Sequence, residues 1–200
     1  MKSISKFISP CIVILLMLSA GCGLGINISK MDTSTIQIGK DGSVDNLIVE
    51  DFDEGLYSID ELKEMTDQEI TSYNLANEED SVQVKDIKLE DGKARMEMTF
   101  KTAEDYAGFT YEKLTYEAVS SAKLRGQSIV NLVDTDGNAV PSEAIDALSD
   151  EHIIVTSNKD KLVLPYKVKY VSAGVVIEKS NMVDLSQVGD DGEALIVLSK

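Results

Sequence analysis

Four Asp-Gly dipeptides, each between stretches of alternating or β-branched residues, limit this chain more than any other local feature. They stand at Asp41-Gly42, Asp91-Gly92, Asp136-Gly137 and Asp191-Gly192. Glycine supplies the positive φ that a tight hairpin turn demands, so Asp-Gly between two extended runs reads as antiparallel pairing. The clearest case is Asp91-Gly92, with Val82, Val84, Ile87 and Leu89 before it and Ala94, Met96, Met98 and Phe100 after it. Period-two spacing places the last four on one strand face. Thr35 to Ile38 and Val44 to Glu50 flank the first turn in the same way.

Helical signals are fewer. Ser58-Ile59-Asp60-Glu61 has the form of a capping box and opens a helix over 59–76, whose expected inner stripe is Leu62, Met65, Ile70 and Tyr73. Thr102-Ala103-Glu104-Asp105 is a second box-like start, leading into Tyr106, Ala107 and Phe109. Helix and strand readings compete over 111–124, with strand or irregular structure near 114–116 and then a short helical piece to Arg125, closed by Gly126. Further strands are expected at 129–133, 152–156, 162–171, 175–177 and 194–198, with a short helix from Pro141-Ser142 to Leu148. Pro165 cannot donate to a ladder, which points to an edge or a bulge. Strands outnumber helices and cluster. The expected fold is α+β: antiparallel sheets built from hairpins, with one main helix and one or two short helices.

The N-terminus is of another kind. Lys2 and Lys6 precede an apolar run, Cys11 to Leu18, and small residues then lead to Cys22. A positive start, a short apolar centre and a small-residue cut site describe a signal peptide, and the run is too short for a permanent membrane helix of roughly 20 residues. Leu18-Ser19-Ala20-Gly21-Cys22 resembles the lipobox of bacterial lipoproteins, with Ser19 where leucine is most usual. The resemblance implies cleavage after Gly21, lipid on the Cys22 sulfur, and residence at the extracytoplasmic face of the cell membrane. Residues 1–21 are then the signal peptide, 22–34 a lipidated cysteine and tether, and 35–200 a single domain. That tether, roughly ten residues short on charge and with Gly23 and Gly25 close to the anchor, reaches at most about 35 Å. Glu50-Asp51-Phe52, Asp105-Tyr106-Ala107 and Lys169-Tyr170-Val171-Ser172 are similar to stretches of small acidic lipoproteins of Gram-positive anaerobes. That resemblance implies no catalytic residues.

Cleavage would remove Lys2 and Lys6 and no acid, moving the net charge from −16 to −18. Such a surface opposes nucleic acid, which needs clustered Lys and Arg, and opposes anionic lipid, so the anchor must supply the membrane affinity. Cys11 leaves with the signal and Cys22 takes the lipid, so the domain folds without a disulfide.

Chemistry is hard to find in the line of residues. His152 is the one histidine and sits beside Ile153-Ile154-Val155, where a strand-end residue with a satisfied ring is expected. No G-x-S-x-G elbow and no phosphate-cradling G-x-x-x-x-G-K-[ST] loop occurs. Zinc lacks ligands, with one His and no spare Cys. Counting an EF-hand from Asp134 puts Gly137 fourth and Ile145 twelfth, which breaks the pattern and leaves a hairpin turn. The acidic runs 51–54, 78–80 and 190–193 read as solvated loops that would bind calcium only if the fold gathered them. The sequence calls for no cofactor and no metal. Tyr106, Phe109, Tyr111 and Tyr116 fall within eleven residues. They read as core from a helix and the following strand, or as an exposed recognition surface. The expected role is a non-enzymatic binding or structural module of the envelope, meeting an envelope protein or an extracellular ligand. The alternative is an extracellular hydrolase that works through paired carboxylates.

Overall fold

The computed structural model describes residues 26–190 and 192–200; the signal peptide and Cys22 lie outside them, as does Asp191 of the fourth Asp-Gly pair. The fold is α+β, with two mostly antiparallel sheets. The first hairpin joins β1 (Thr35–Ile38) to β2 (Val44–Asp51), and the second joins β3 (Val82–Glu90) to β4 (Lys93–Phe100). Gly42 and Gly92 take positive φ at their turns, as the Asp-Gly signal requires. The larger sheet also holds β8 (Lys161–Val163), β10 (Val176–Lys179) and β11 (Met182–Asp184), in the order β10-β11-β8-β1-β2-β4-β3. The smaller sheet runs β5-β7-β12-β9-β6, from β5 (Leu114–Ala118), β6 (Val133–Asp134), β7 (His152–Thr156), β9 (Lys167–Val171) and β12 (Ala194–Ser199). Only the β1–β8 pair is parallel among the described pairings.

Alternation along the strands sorts the apolar residues into three packed layers. Ile36, Val44, Met98 and Phe100 of the larger sheet meet Ile154, Val168, Ile196 and Leu198 of the smaller one. The opposite face of the smaller sheet, with Ile153, Val155 and Val197, is covered by Val119, Ala122, Ile145 and Leu148. Val119 and Ala122 come from the short helix α3 (Val119–Leu124), Ile145 from α4 (Ser142–Asp146), and Leu148 from the turn after it. Cover on both faces explains why β7 reads as a continuous apolar run. On the outer face of the larger sheet, a 3-10 turn at Ile28–Lys30 places Ile28 over Leu47, Val49, Val163 and Met182. Arg95 holds that turn by donating to the carbonyls of Ser29 (3.0 Å) and Met31 (2.9 Å). Of the tether expected over 22–34, the part from Ile26 onward is thus docked on the sheet.

The main helix, α1 (Ile59–Ala76), begins where its capping box predicts, with Ser58 Oγ accepting from the Glu61 amide at 3.4 Å. Its buried residues are Thr66 and Ile70, while Met65 is 60% exposed. The inner stripe therefore runs 62-66-70-73, and Met65 of the expected stripe faces outward. Asn74 fastens the helix end to β3 through both its amide atoms, donating to Val82 O (2.8 Å) and accepting from Val82 N (3.0 Å). The second helix, α2 (Ala103–Thr110), starts at Thr102 as expected.

Two strand expectations need correction. Over 129–133 only Val133 is in a strand, because Asn131 adopts φ +57 and breaks the extended run. Ile129 and Leu132 are buried all the same, under the helices of the smaller sheet. The run 162–171 is two strands in different sheets, with Pro165 in the crossing between β8 and β9. A residue with no N–H is well placed in that connection.

Candidate functional site

The four clustered aromatics go to three different places. Tyr106 is core, 1% exposed, with its ring edge-on to Phe100 at 5.2 Å. Burial first, and then the Glu112 carboxylate, push its phenol well above the ordinary tyrosine range. Phe109 is half-buried, edge-on to Tyr73 at 5.6 Å and tilted on Phe100 at 5.9 Å. Tyr111 is 93% exposed. Tyr116 belongs to β5 and stacks on His152 with ring centroids 4.8 Å apart.

Phe109 and Tyr111 meet residues of α1 in a groove of about 570 Å³ between the two helices. Met65, Gln68, Glu69 and Ser72 line its α1 side, and Tyr73 and Gly108 line it where the helices come closest. A Cβ on Gly108 would stand 2.7 Å from the Tyr73 hydroxyl, so glycine is what lets the ring lie against α2. Burial, followed by Asp105, raises the Tyr73 phenol. The sequence reading missed Met65 and Gly108 as site residues. A glycine inside an eight-residue helix was the available signal, since it weakens a helix unless something must approach.

Local chemistry builds the α2 side. Thr102 Oγ1 accepts from the Asp105 amide (3.0 Å) and donates to Asp105 Oδ2 (2.7 Å), which starts the helix. Tyr111 ends it in the left-handed conformation, φ +62, with its amide bonded to the Ala107 carbonyl at 3.0 Å. That position usually takes Gly or Asn, and a bulky residue there costs about 1–2 kcal/mol. The strained residue is also the most exposed large apolar side chain among the described residues. Backbone strain of this kind clusters at functional sites. Glu69 is the charged residue lining the groove, and the two helices that form it carry Asp60, Glu61, Glu64, Asp67, Glu69, Glu104 and Asp105 against Lys63 alone.

Two further constellations form away from the groove. Asn158, 5% exposed, donates through Nδ2 to Glu112 Oε2 (2.5 Å) and to Asp160 Oδ2 (3.4 Å). Tyr106 Oη also donates to Glu112 Oε2, at 2.8 Å. Burial raises the Asp160 carboxyl, against the Asn158 hydrogen bond, and Glu112 and Glu50 push it the same way. Two carboxylates, Glu112 and Asp160, are thus joined by one buried amide, a pairing that no linear spacing revealed. At the other end, the His152 ring lies between Tyr116 and Tyr166, 6.0 Å from the latter, and Lys40 Nζ stands 5.2 Å over Tyr166. The expectation of a satisfied ring is corrected: His152 Nδ1 is buried without a hydrogen-bond partner among the described residues. Burial, assisted by Lys200 and opposed by Glu151, lowers its pKa. Burial, then Tyr166 and Asp41, push the Tyr116 phenol up to about 12.

The Asp134 loop is a hairpin turn whose carboxylate serves its own backbone. Asp134 Oδ1 accepts from the amides of Asp136 (2.9 Å) and Asn138 (2.8 Å). Among the described residues no three His, Cys, Asp or Glu side chains are grouped to hold a metal ion, and no helix is long and apolar enough to cross a membrane. Compared with known proteins, the chain matches no family, no curated protein and no solved structure.

Proposed function

We propose that this chain is a membrane-anchored extracytoplasmic lipoprotein whose domain is a non-enzymatic binding module of the cell envelope. The observation that carries the binding role is Tyr111, held in a left-handed conformation and 93% exposed at the edge of the α1–α2 groove. Folding alone favours glycine there, so the side chain is kept for something outside the fold. The anchoring role rests on the lipobox-like sequence ending at Cys22. A single acyl chain binds membranes only marginally, and the two chains of a diacylglycerol bind stably, at about 0.8 kcal/mol per buried methylene. Cys22→Ala should abolish incorporation of radiolabelled palmitate and release the protein from the membrane fraction. Undiminished labelling of that variant would sink the lipoprotein reading.

A second reading, a carboxylate-dependent hydrolase, draws on the Glu112–Asn158–Asp160 cluster. Unequal environments for two carboxylates are what acid–base catalysis uses. In the binding-module reading the cluster is a structural tie between the end of α2 and the residues after β7. The effect of Asp160→Asn on stability and on hydrolysis distinguishes the two.

A further inference from the structure

We infer that the α1–α2 groove takes a cationic amphipathic peptide segment, seating an apolar side chain between Met65 and Phe109 while its Lys or Arg residues meet the acids of the two helices. This rests on the binding-module reading and adds the chemistry of the partner. The groove's volume of about 570 Å³ is large enough for bulky side chains. Met65, 60% exposed, and the half-buried Tyr73 and Phe109 supply apolar contact that the fold leaves uncovered. Tyr111 adds a rigid aromatic that loses little entropy on binding.

Charge selects the occupant. Seven acids stand against one lysine on the two helices, whereas the whole chain has 35 acids to 19 bases. The single Lys63 lies 3.9 Å from Asp60, which further reduces the positive potential it offers. Glu69 lines the groove itself. A second copy of the chain fits poorly, because a two-fold contact would press one acidic helix layer on its twin. An anionic lipid surface is repelled for the same reason. A segment with apolar residues on one face and Lys or Arg beside them satisfies both the floor and the rim, in the manner of helix-in-groove recognition.

The test is fluorescence anisotropy of the full chain with three labelled designed peptides. All three carry leucine at helical spacing, and their polar positions are lysine, glutamine or glutamate. The lysine peptide should bind at least about tenfold more tightly than the glutamate peptide, and more weakly as salt rises and screens the acids. Met65→Gln and Tyr111→Gly should each weaken it by about 10–30-fold, as expected for central contact residues. Tyr111→Gly should do so with its melting temperature unchanged or raised, because glycine relieves the left-handed strain. A folding defect would give the opposite pairing. Equal binding of the lysine peptide by the wild type and both variants would mean diffuse attraction to an acidic surface, and overturns the inference. If the glutamine peptide binds as well as the lysine peptide, and both variants weaken it, the binding-module reading stands and the cationic partner is wrong. No binding of any peptide removes both; self-association abolished by Met65→Gln would assign the groove to a second copy instead.

Discussion

Truncating Tyr106 tests whether the aromatic cluster is held by packing or by its polar end. The ring is 1% exposed and edge-on to Phe100, so Tyr106→Ala removes a whole buried aromatic. Losses of this kind run at about 3–5 kcal/mol, a large share of the roughly 5–15 kcal/mol that holds a domain together. Tyr106→Phe keeps the ring and removes only the hydroxyl that donates to Glu112 Oε2 at 2.8 Å. Glu112 is not orphaned by that change, since Asn158 Nδ2 still donates to it at 2.5 Å and the carboxylate is open to water. The expected loss is therefore about 1.5 kcal/mol, the low end for a hydrogen bond to a charged group because the carboxylate stays hydrated. For a domain of this size these values correspond to falls of roughly 6–20 °C for Ala and 3–6 °C for Phe. Urea unfolding followed by circular dichroism measures both, with the slope against urea unchanged if the unfolded state is unaffected. A Phe variant that falls as far as the Ala variant would place the stabilisation in the Glu112–Asn158 network and refute the packing argument. An Ala variant losing less than about 1 kcal/mol would show that Tyr106 is not core at all.

Two other outcomes follow from the titrating groups. His152 has its pKa lowered, so the unfolded chain takes up the proton first; stability should be full above about pH 6.5 and fall as the pH drops below it. His152→Gln should flatten that part of the profile and change neutral-pH stability by about 1 kcal/mol or less; urea midpoints between about pH 7.5 and pH 5 check it, and an unchanged slope would refute it. Asp160 has its carboxyl raised, so its contribution is favourable below the unfolded value near 3.8 and is lost as the pH rises through the folded value. Asp160→Asn keeps an acceptor for Asn158, so it should raise the melting temperature at pH 7 and lose that advantage in acid. A destabilised variant at pH 7 would refute the electrostatic account, and loss of hydrolysis across a panel of aryl glycosides in a stable variant would favour the hydrolase reading.

Local chemistry was legible wherever a signal and its effect lie within a few residues. Ser58 starts α1, Thr102 starts α2, and Gly42 and Gly92 turn the two hairpins, because caps and turns are contacts between residues two to four apart. The α+β class followed from counting such pieces. The same signals misled where a neighbour in space decided. Asn131 broke an apolar run that looked like a strand, and the passage of the chain between sheets at Pro165 divided another. Nothing in the line of residues sets β8 parallel to β1, since Thr35 and its partner Lys161 stand 126 positions apart. The candidate sites belong to the same class. The short reach from Phe109 to Tyr111 was visible, but Met65 joins them only because the fold sets α1 and α2 on two sides of one groove. Glu112 meets Asp160 only through Asn158, 46 positions along the chain from Glu112. Backbone preferences act over one turn of chain, and burial of apolar surface acts between any two faces that fit, so the elements are local properties of this sequence and the groove belongs to the tertiary structure.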